Sequence, residues 1–185
     1  MNEAMKALPT AGEIVAFWRA AGRAKWFGGG VDFDAECRVR FEPAHLAAAR
    51  GALAHWLEDA ESALALSILL DQMPRNIWRG GGHAFATDGL ARRYASQAIA
   101  AGHDGEVEPA LRGFFYLPLE HSESLADQYR SVALFAALGD PVMHDYAIRH
   151  REVIERFGRF PHRNAALGRI DTAEEAAWLA AGGGF

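Results

Sequence analysis

Apolar side chains recur along this chain at the three- and four-residue spacing that lines one face of an α-helix. Ile14, Phe17, Trp18 and Ala21 follow it, behind a capping box of Thr10 and Glu13. Leu46, Ala49, Leu53 and Trp56 form a second stripe, with Pro43 in a favourable first-turn position. Residues 63–70 are apolar all round apart from Ser67, which predicts a fully buried central helix. Thr87 or Asp88 can cap a helix through Leu90, Tyr94 and Ala98 that stops before Gly102. Pro109 opens the short apolar helix LRGFFYL, and Pro118 is expected to close it. Ser124 with Asp127 matches another capping box, ahead of a helix turning Leu125, Tyr129, Val132 and Ala136 inward. Asp140-Pro141 starts one with Val142, Tyr146, Val153 and Phe157 on its buried side. Thr172 and Glu175 cap a last helix carrying Trp178 and Leu179.

No window alternates as a strand would, so the expected class is all-α: eight or nine helices on short links, packed as antiparallel neighbours in a single domain over residues 1–185. The glycine runs at 28–30, 80–82 and 182–184 punctuate loops; none has the spacing or the lysine of a phosphate-binding loop. MPRNIWRGG (73–81) and FPHRNAALGR (160–169) echo each other through a shared proline and Arg-Asn pair, too briefly to establish a repeat.

Composition narrows the partners. A chain of 185 residues, half of them apolar, can bury a real core without crosslinks. The net charge of −5 argues against general nucleic-acid binding, which needs clustered basic surface. Cys37 is the only cysteine, which rules out an intrachain disulfide and any cysteine-rich metal site. The opening MNEAMKALPTAGEIV has no apolar core of a signal peptide, and no apolar run is long enough to span a bilayer. The expectation is a soluble, cytoplasmic protein without a membrane partner. Of nineteen basic residues only Lys6 and Lys25 are lysine; the other seventeen are arginine, the residue suited to bidentate contact with carboxylate or phosphate and to stacking on rings.

Three segments mix charged groups with aromatic or apolar ones. In LLDQMPRNIWRG (69–80), Pro74 should end the buried helix near Asp71 and Gln72, leaving those two with Arg75 and Asn76 at the mouth of the core. A purely structural role is equally open, with Asp71 pairing Arg75 and Asn76 turning the backbone. In FFYLPLEHSES (114–124), His121 can serve as general acid or base with Glu123 orienting it, or the cluster can simply cap the next helix. His-x-Glu supplies only two donors and no HExxH or cysteine pair accompanies it, so no metal site is assigned. In RFGRFPHRN (156–164), Gly158 and Pro161 enforce a non-helical corner from which Arg159, His162 and Arg163 project between anchoring phenylalanines. Those arginines can equally staple helices by pairing with Asp71, Glu120, Glu123 or Asp127. His150, on the apolar side of its helix, reads as a hydrogen-bonded core histidine.

DQMPRNIWRG, FFYLPLEHSE, LADQYRSVALF and RFGRFPHRNAALGR together resemble a bacterial family known as domain of unknown function 924. The resemblance runs from the AFW around residue 17 to the final TAEEAAWL and implies a tetratricopeptide-like all-α fold, with no reaction attached. Two positions depart from the family: Met73, where phenylalanine is usual, and Glu120, where methionine is often found before His-Ser-Glu. The second adds a carboxylate that would weaken anion binding beside it.

The candidate pocket gathers Asp71, Gln72, Arg75, Asn76, His121, Glu123, Arg159, His162, Arg163 and Asn164. The leading expectation is a small anionic or polar ligand anchored by Arg75, Arg159 and Arg163, with no cofactor. One alternative is a cofactor-free hydrolase or transferase with His121 or His162 as general acid/base and Asp71 or Glu123 as its partner. The other is a module that holds an acidic peptide, as stacked helical hairpins can. No nucleophile motif is present.

Overall fold

The computed structural model describes residues 7–185. The stretch examined for a leader begins at Met1, so its first six residues lie outside that range. Thr10 caps the first helix as the sequence predicts, its hydroxyl accepting from the Glu13 amide while Glu13 reaches back. The α-helices are α1 (Ala11–Ala21), α2 (Arg23–Trp26), α3 (Gly30–Ala49), α4 (Ala60–Ser67), α5 (Met73–Ile77), α6 (Asp88–Ala101), α7 (His103–Glu106), α8 (Pro109–Glu120), α9 (Leu125–Leu138), α10 (Pro141–Phe157) and α11 (Ala173–Ala180). Among the described residues eight of these run for eight residues or more, three are only four or five residues long, and no strand occurs. The class is all-α, and no described helix is long and apolar enough to cross a membrane.

The run 63–70 is the centre of the core, buried throughout. Around it α4 packs against α1, α6 and α8, while α3 lies on α5 and α9 sits between α8 and α10. Trp18, Phe33, Phe41, Phe114, Phe115 and Phe135 fill the spaces between these helices.

Proline breaks the chain less often than the pattern suggests. Pro43 lies inside α3 rather than at its start, because Phe33, Cys37 and Phe41 already form a buried stripe upstream. Pro118 does not close α8, which continues to Glu120. Pro74 does not end the central helix either: a π-helical turn (Ile68–Gln72) leads directly into α5. Pro74 has no amide hydrogen, so carbonyls one turn back need other donors. Thr87 Oγ1 donates to the Leu70 carbonyl at 2.6 Å, and His45 Nδ1 donates to that of Leu69 at 2.7 Å. Thr87 therefore does not cap α6 with its side chain.

Two helices depart in part from their predicted faces, although Val132, Val153 and Phe157 do pack inward. On α9 the inward residues are Gln128, Ser131 and Phe135, with Leu125 and Tyr129 exposed. Ser124 does not cap it; Ser122 Oγ accepts from the Ser124 amide and donates to Asp127. On α10 the buried side is Met143, Ala147, His150, Val153 and Ile154, while Val142 and Tyr146 look into a cavity. That cavity explains the difference: apolar residues lining a partly open pocket mimic a packed face in the sequence. Leu46 is likewise exposed on α3.

Candidate functional site

The π-helical turn brings Asp71 to the inner end of α4, where it is completely buried. Burial raises the pKa of this carboxyl, but the Arg75 guanidinium and hydrogen bonds from His121 and Gln72 more than offset it and hold Asp71 ionised. Gln72 Nε2 donates to Asp71 at 2.5 Å, and Arg75 lies 3.3 Å from the other carboxylate oxygen. Asn76 donates to the Gln72 carbonyl, the backbone-turning role its position allows.

His121 ends α8 and sets its Nδ1 2.8 Å from the Asp71 carboxylate. An ionised carboxylate can only accept, so Nδ1 carries the hydrogen and Nε2 keeps its lone pair. Burial, reinforced by Arg75, lowers the His121 pKa despite Asp71, and the ring stays neutral at pH 7. Glu120, the preceding residue, is 3 % exposed, and its Oε2 has no hydrogen-bond partner. Burial first, and the Asp71 charge second, push its pKa well up, so it holds a proton. His150 arrives from α10 with Nδ1 2.8 Å from the Tyr146 carbonyl and 3.2 Å from Glu120. Burial, with the neighbouring His121 and Arg163, holds this ring neutral too.

These groups floor a cavity of about 430 Å³. Its walls include Trp26, Phe27, Leu117, Met143, Tyr146 and Phe185. Gln72, Arg75, Asn76, Arg79 and Arg23 supply polar rim, and the last two arginines are each paired with a surface acid, Asp34 and Asp140. A polar floor with apolar walls is the usual form of a small-molecule site.

The ten residues expected to share one pocket divide. Gln72, Arg75, Asn76 and His121 line the main cavity, with Asp71 behind them. His121 also borders a second cleft, of about 420 Å³, together with Glu123 and Arg163. Arg159 and Asn164 line neither: Arg159 forks the Glu175 carboxylate at 2.6 and 2.7 Å, and Asn164 donates to Asp171. Glu123 does not orient His121; it pairs with Arg169 and accepts from the Phe160 amide. His162 is largely buried beside Phe160, and burial with the nearby Arg163 and His121 depresses its pKa to about 4. The three arginines named as anion anchors already hold acids: Arg75 and Arg163 share Asp88, and Arg159 holds Glu175.

Sequence reasoning left out Glu120, His150, Asp88 and Phe185 as site members. Glu120 and His150 sit on helices thirty residues apart, and no spacing rule links them. Asp88 read only as a helix cap, and Phe185 follows a glycine run that resembles a loose end. Among the described residues Glu120, His121 and His150 are the set able to hold a metal ion, with one donor atom from each within 4.8 Å of the others. Both rings keep their Nδ1 hydrogen on a protein acceptor, and Glu120 would have to release its proton first. The arrangement as built favours proton transfer.

Comparison with known proteins places the chain. A family model described as "Bacterial protein of unknown function (DUF924)" matches residues 14–183. A solved structure titled "Structure of Protein of Unknown Function ATU0120 from Agrobacterium tumefaciens" is similar at 51% identity with a TM-score of 0.89, over 91% of this chain and 96% of that one. No curated protein matches. The chain therefore belongs to the bacterial family of unknown function DUF924.

Proposed function

We propose that this protein is a hydrolase or transferase acting on a small molecule, with His121 as general base and Asp71 as the residue that orients it. One observation carries the reading: a fully buried, ionised carboxylate holds Nδ1–H of His121 at 2.8 Å, leaving a lone pair on Nε2 at the floor of a cavity. A positioned imidazole of this kind takes a proton from water or a substrate hydroxyl as that oxygen attacks. Glu120, protonated and adjacent, supplies the proton that the leaving group needs. Base and acid are thus distinguished by environment: one ring ordered by a charge, one carboxyl isolated from any cation in contact. A pocket of this volume favours a small substrate over a peptide laid along a groove.

Chromogenic carboxylate esters, phosphate monoesters and glycosides test the reading, with His121→Asn and Asp71→Asn as controls. A general base contributes about 10²–10⁴-fold, so kcat on the responsive class should fall by that factor in each variant. Turnover in His121→Asn within twofold of wild type would overturn the assignment. Nitrogen-15 NMR gives a second check without a substrate: His121 must be the Nδ1–H tautomer, and an Nε2–H tautomer would equally sink it.

The ligand-binding expectation keeps a narrower form. Arg23 and Arg79, at the cavity rim and about half exposed, are better placed to meet an anionic group than Arg159, which lies outside it.

A further inference from the structure

Phe185 follows three glycines, and its ring lies flat on the imidazole of His150, with centroids 3.6 Å apart and planes 10° from parallel. Phe160 meets the same ring edge-on at 6.3 Å and 87°, and His162 does so at 5.5 Å and 84°. One face and two edges are the geometries in which aromatic quadrupoles attract. Three side chains from α10 and the 160–162 corner therefore form a slot shaped for a flat ring. Two sides of the slot are fixed, since Phe160 and His150 are buried and His150 Nδ1 donates to the Tyr146 carbonyl.

Its present occupant is weakly held. The last backbone hydrogen bonds of this segment run from Gly182 to Leu179 and from Gly183 to Trp178; among the described residues none involves Gly184 or Phe185. Gly182 and Gly184 have φ of 86° and 137°, conformations that glycine reaches freely and other residues do not. The ring itself is 50 % exposed and forms part of the cavity wall. Its aromatic contacts are that stack and the two edge-on rings, and it is carried by a run of glycines.

We propose that the cavity binds a planar aromatic group stacked on His150, in the position that the Phe185 ring takes, so that ligand and Phe185 compete. This names the substrate class for the site proposed above and rests on that cavity being the functional one. Glu120 and His121 line the same cavity, Glu120 lying 3.2 Å from His150 Nδ1 and the His121 ring centroid 6.0 Å from that of His150. A polar substituent on the ring would thus reach the acid and the base. His150 is suited to the platform because it is uncharged and fixed by the Tyr146 carbonyl, which leaves its face free for stacking.

The experiment compares the full-length wild type with Phe185→Ala, using benzamide as the flat probe and cyclohexanecarboxamide as a probe of similar size without a planar ring. Binding is read by calorimetry and by the ring-current shifts of the His150 and His162 protons. Phe185→Ala should bind benzamide roughly 2- to 12-fold more tightly than wild type, since a competing stacked pair has been removed. Its His150 protons should shift on losing Phe185 and shift back on saturation with benzamide. Cyclohexanecarboxamide should show no such gain. Equal benzamide affinity in the two proteins, absence of binding in both, or the same gain with the cyclohexane probe would each overturn the proposal. The half-exposed ring makes Phe185→Ala safe for folding, and Phe185→Leu checks that bulk without aromaticity does not compete equally. None of these readouts needs turnover. A cavity that takes benzamide but has no His121-dependent activity defeats the catalytic reading alone, and an active cavity indifferent to Phe185 defeats this one alone.

Discussion

Replacing Glu120 by methionine should make this protein more stable. Glu120 is 3 % exposed, its Oε2 has no partner, and its Oε1 sits beside a His150 Nδ1 whose hydrogen belongs to the Tyr146 carbonyl. A buried polar group left unsatisfied costs about 1–3 kcal/mol. Methionine is unbranched, similar in length and adaptable, so it can fill the same space without that cost. The Glu120 main-chain carbonyl still accepts from Gln128 Nε2 at 2.6 Å whatever side chain is present. For a chain of this size 1 kcal/mol shifts Tm by about 2–4 °C, so Glu120→Met should melt roughly 2–12 °C higher. The gain should also grow with pH. A carboxyl whose folded pKa is raised keeps its proton while the unfolded chain releases one above about 4.5, so wild-type stability falls as pH rises toward the folded value. Methionine removes that loss, and the difference between the proteins should be larger at pH 8 than at pH 5. Calorimetry and urea denaturation with an unchanged m-value read both effects. A lower Tm for Glu120→Met at pH 8 would refute the reasoning, because it would mean that the carboxyl is satisfied in the folded state. If Glu120 is also the proton donor, the stabilised variant loses turnover, the trade expected where a site carries strain.

The acid limb runs in the opposite sense. Burial, with Arg163 and His121 nearby, depresses the pKa of His162 to about 4, and burial lowers those of His45 and His150 as well. Groups depressed below an unfolded value near 6.5 stabilise the fold fully above it and lose that contribution as pH falls toward the folded value; His162 alone should cost about 2 kcal/mol by pH 5. Urea unfolding between pH 7.5 and 5 should show this fall, and His162→Phe should flatten it; a level profile to pH 5 would refute it. Arg159→Ala should free α11 without loosening the core, because Arg159 is the cation for the Glu175 carboxylate that also completes the α11 capping box. Hydrogen exchange checks this: faster amides over 173–180 with α4 unchanged is the expected result, and a change in α4 speaks against it.

The helices were readable from the sequence because each buried stripe repeats within a few residues. Thr10 with Glu13 and Thr172 with Glu175 are capping boxes in fact as in pattern, since both partners are local. The prolines were misread for a complementary reason. Whether Pro74 stops a helix depends on whether donors exist for the freed carbonyls, and these donors, Thr87 and His45, lie far away in sequence. The site follows the same division. Asp71 and His121 stood out by residue type beside a proline and a helix start. Glu120 and His150 became visible only when α8 and α10 met, and His150 had every local mark of a core histidine. Val142 and Tyr146 misled because a cavity wall and a packed core call for the same residues.

Under the proposed function, arginines among aromatics serve both structure and site. Arg163 is 5 % exposed, with its guanidinium 4.4 Å from the Phe160 ring centroid and 4.7 Å from that of Phe85. Between those rings it donates to Asp88 at 3.1 Å and to the His121 carbonyl at 3.0 Å. Asp88 in turn takes both terminal nitrogens of Arg75, at 2.9 and 3.0 Å, and Arg75 holds Asp71. The chain of contacts thus closes on His121 from two directions: Asp71 fixes its ring, and Arg163 fixes its backbone. A network of this kind is costly to break at one partner, because the remaining charge stays buried. Its rigidity is what an imidazole needs to present Nε2 at one place in a cavity. A corner built to staple α6, the α8–α9 turn and residues 160–164 is therefore not an alternative to a functional site. In the function proposed for this cavity it is the support by which His121 holds its aim.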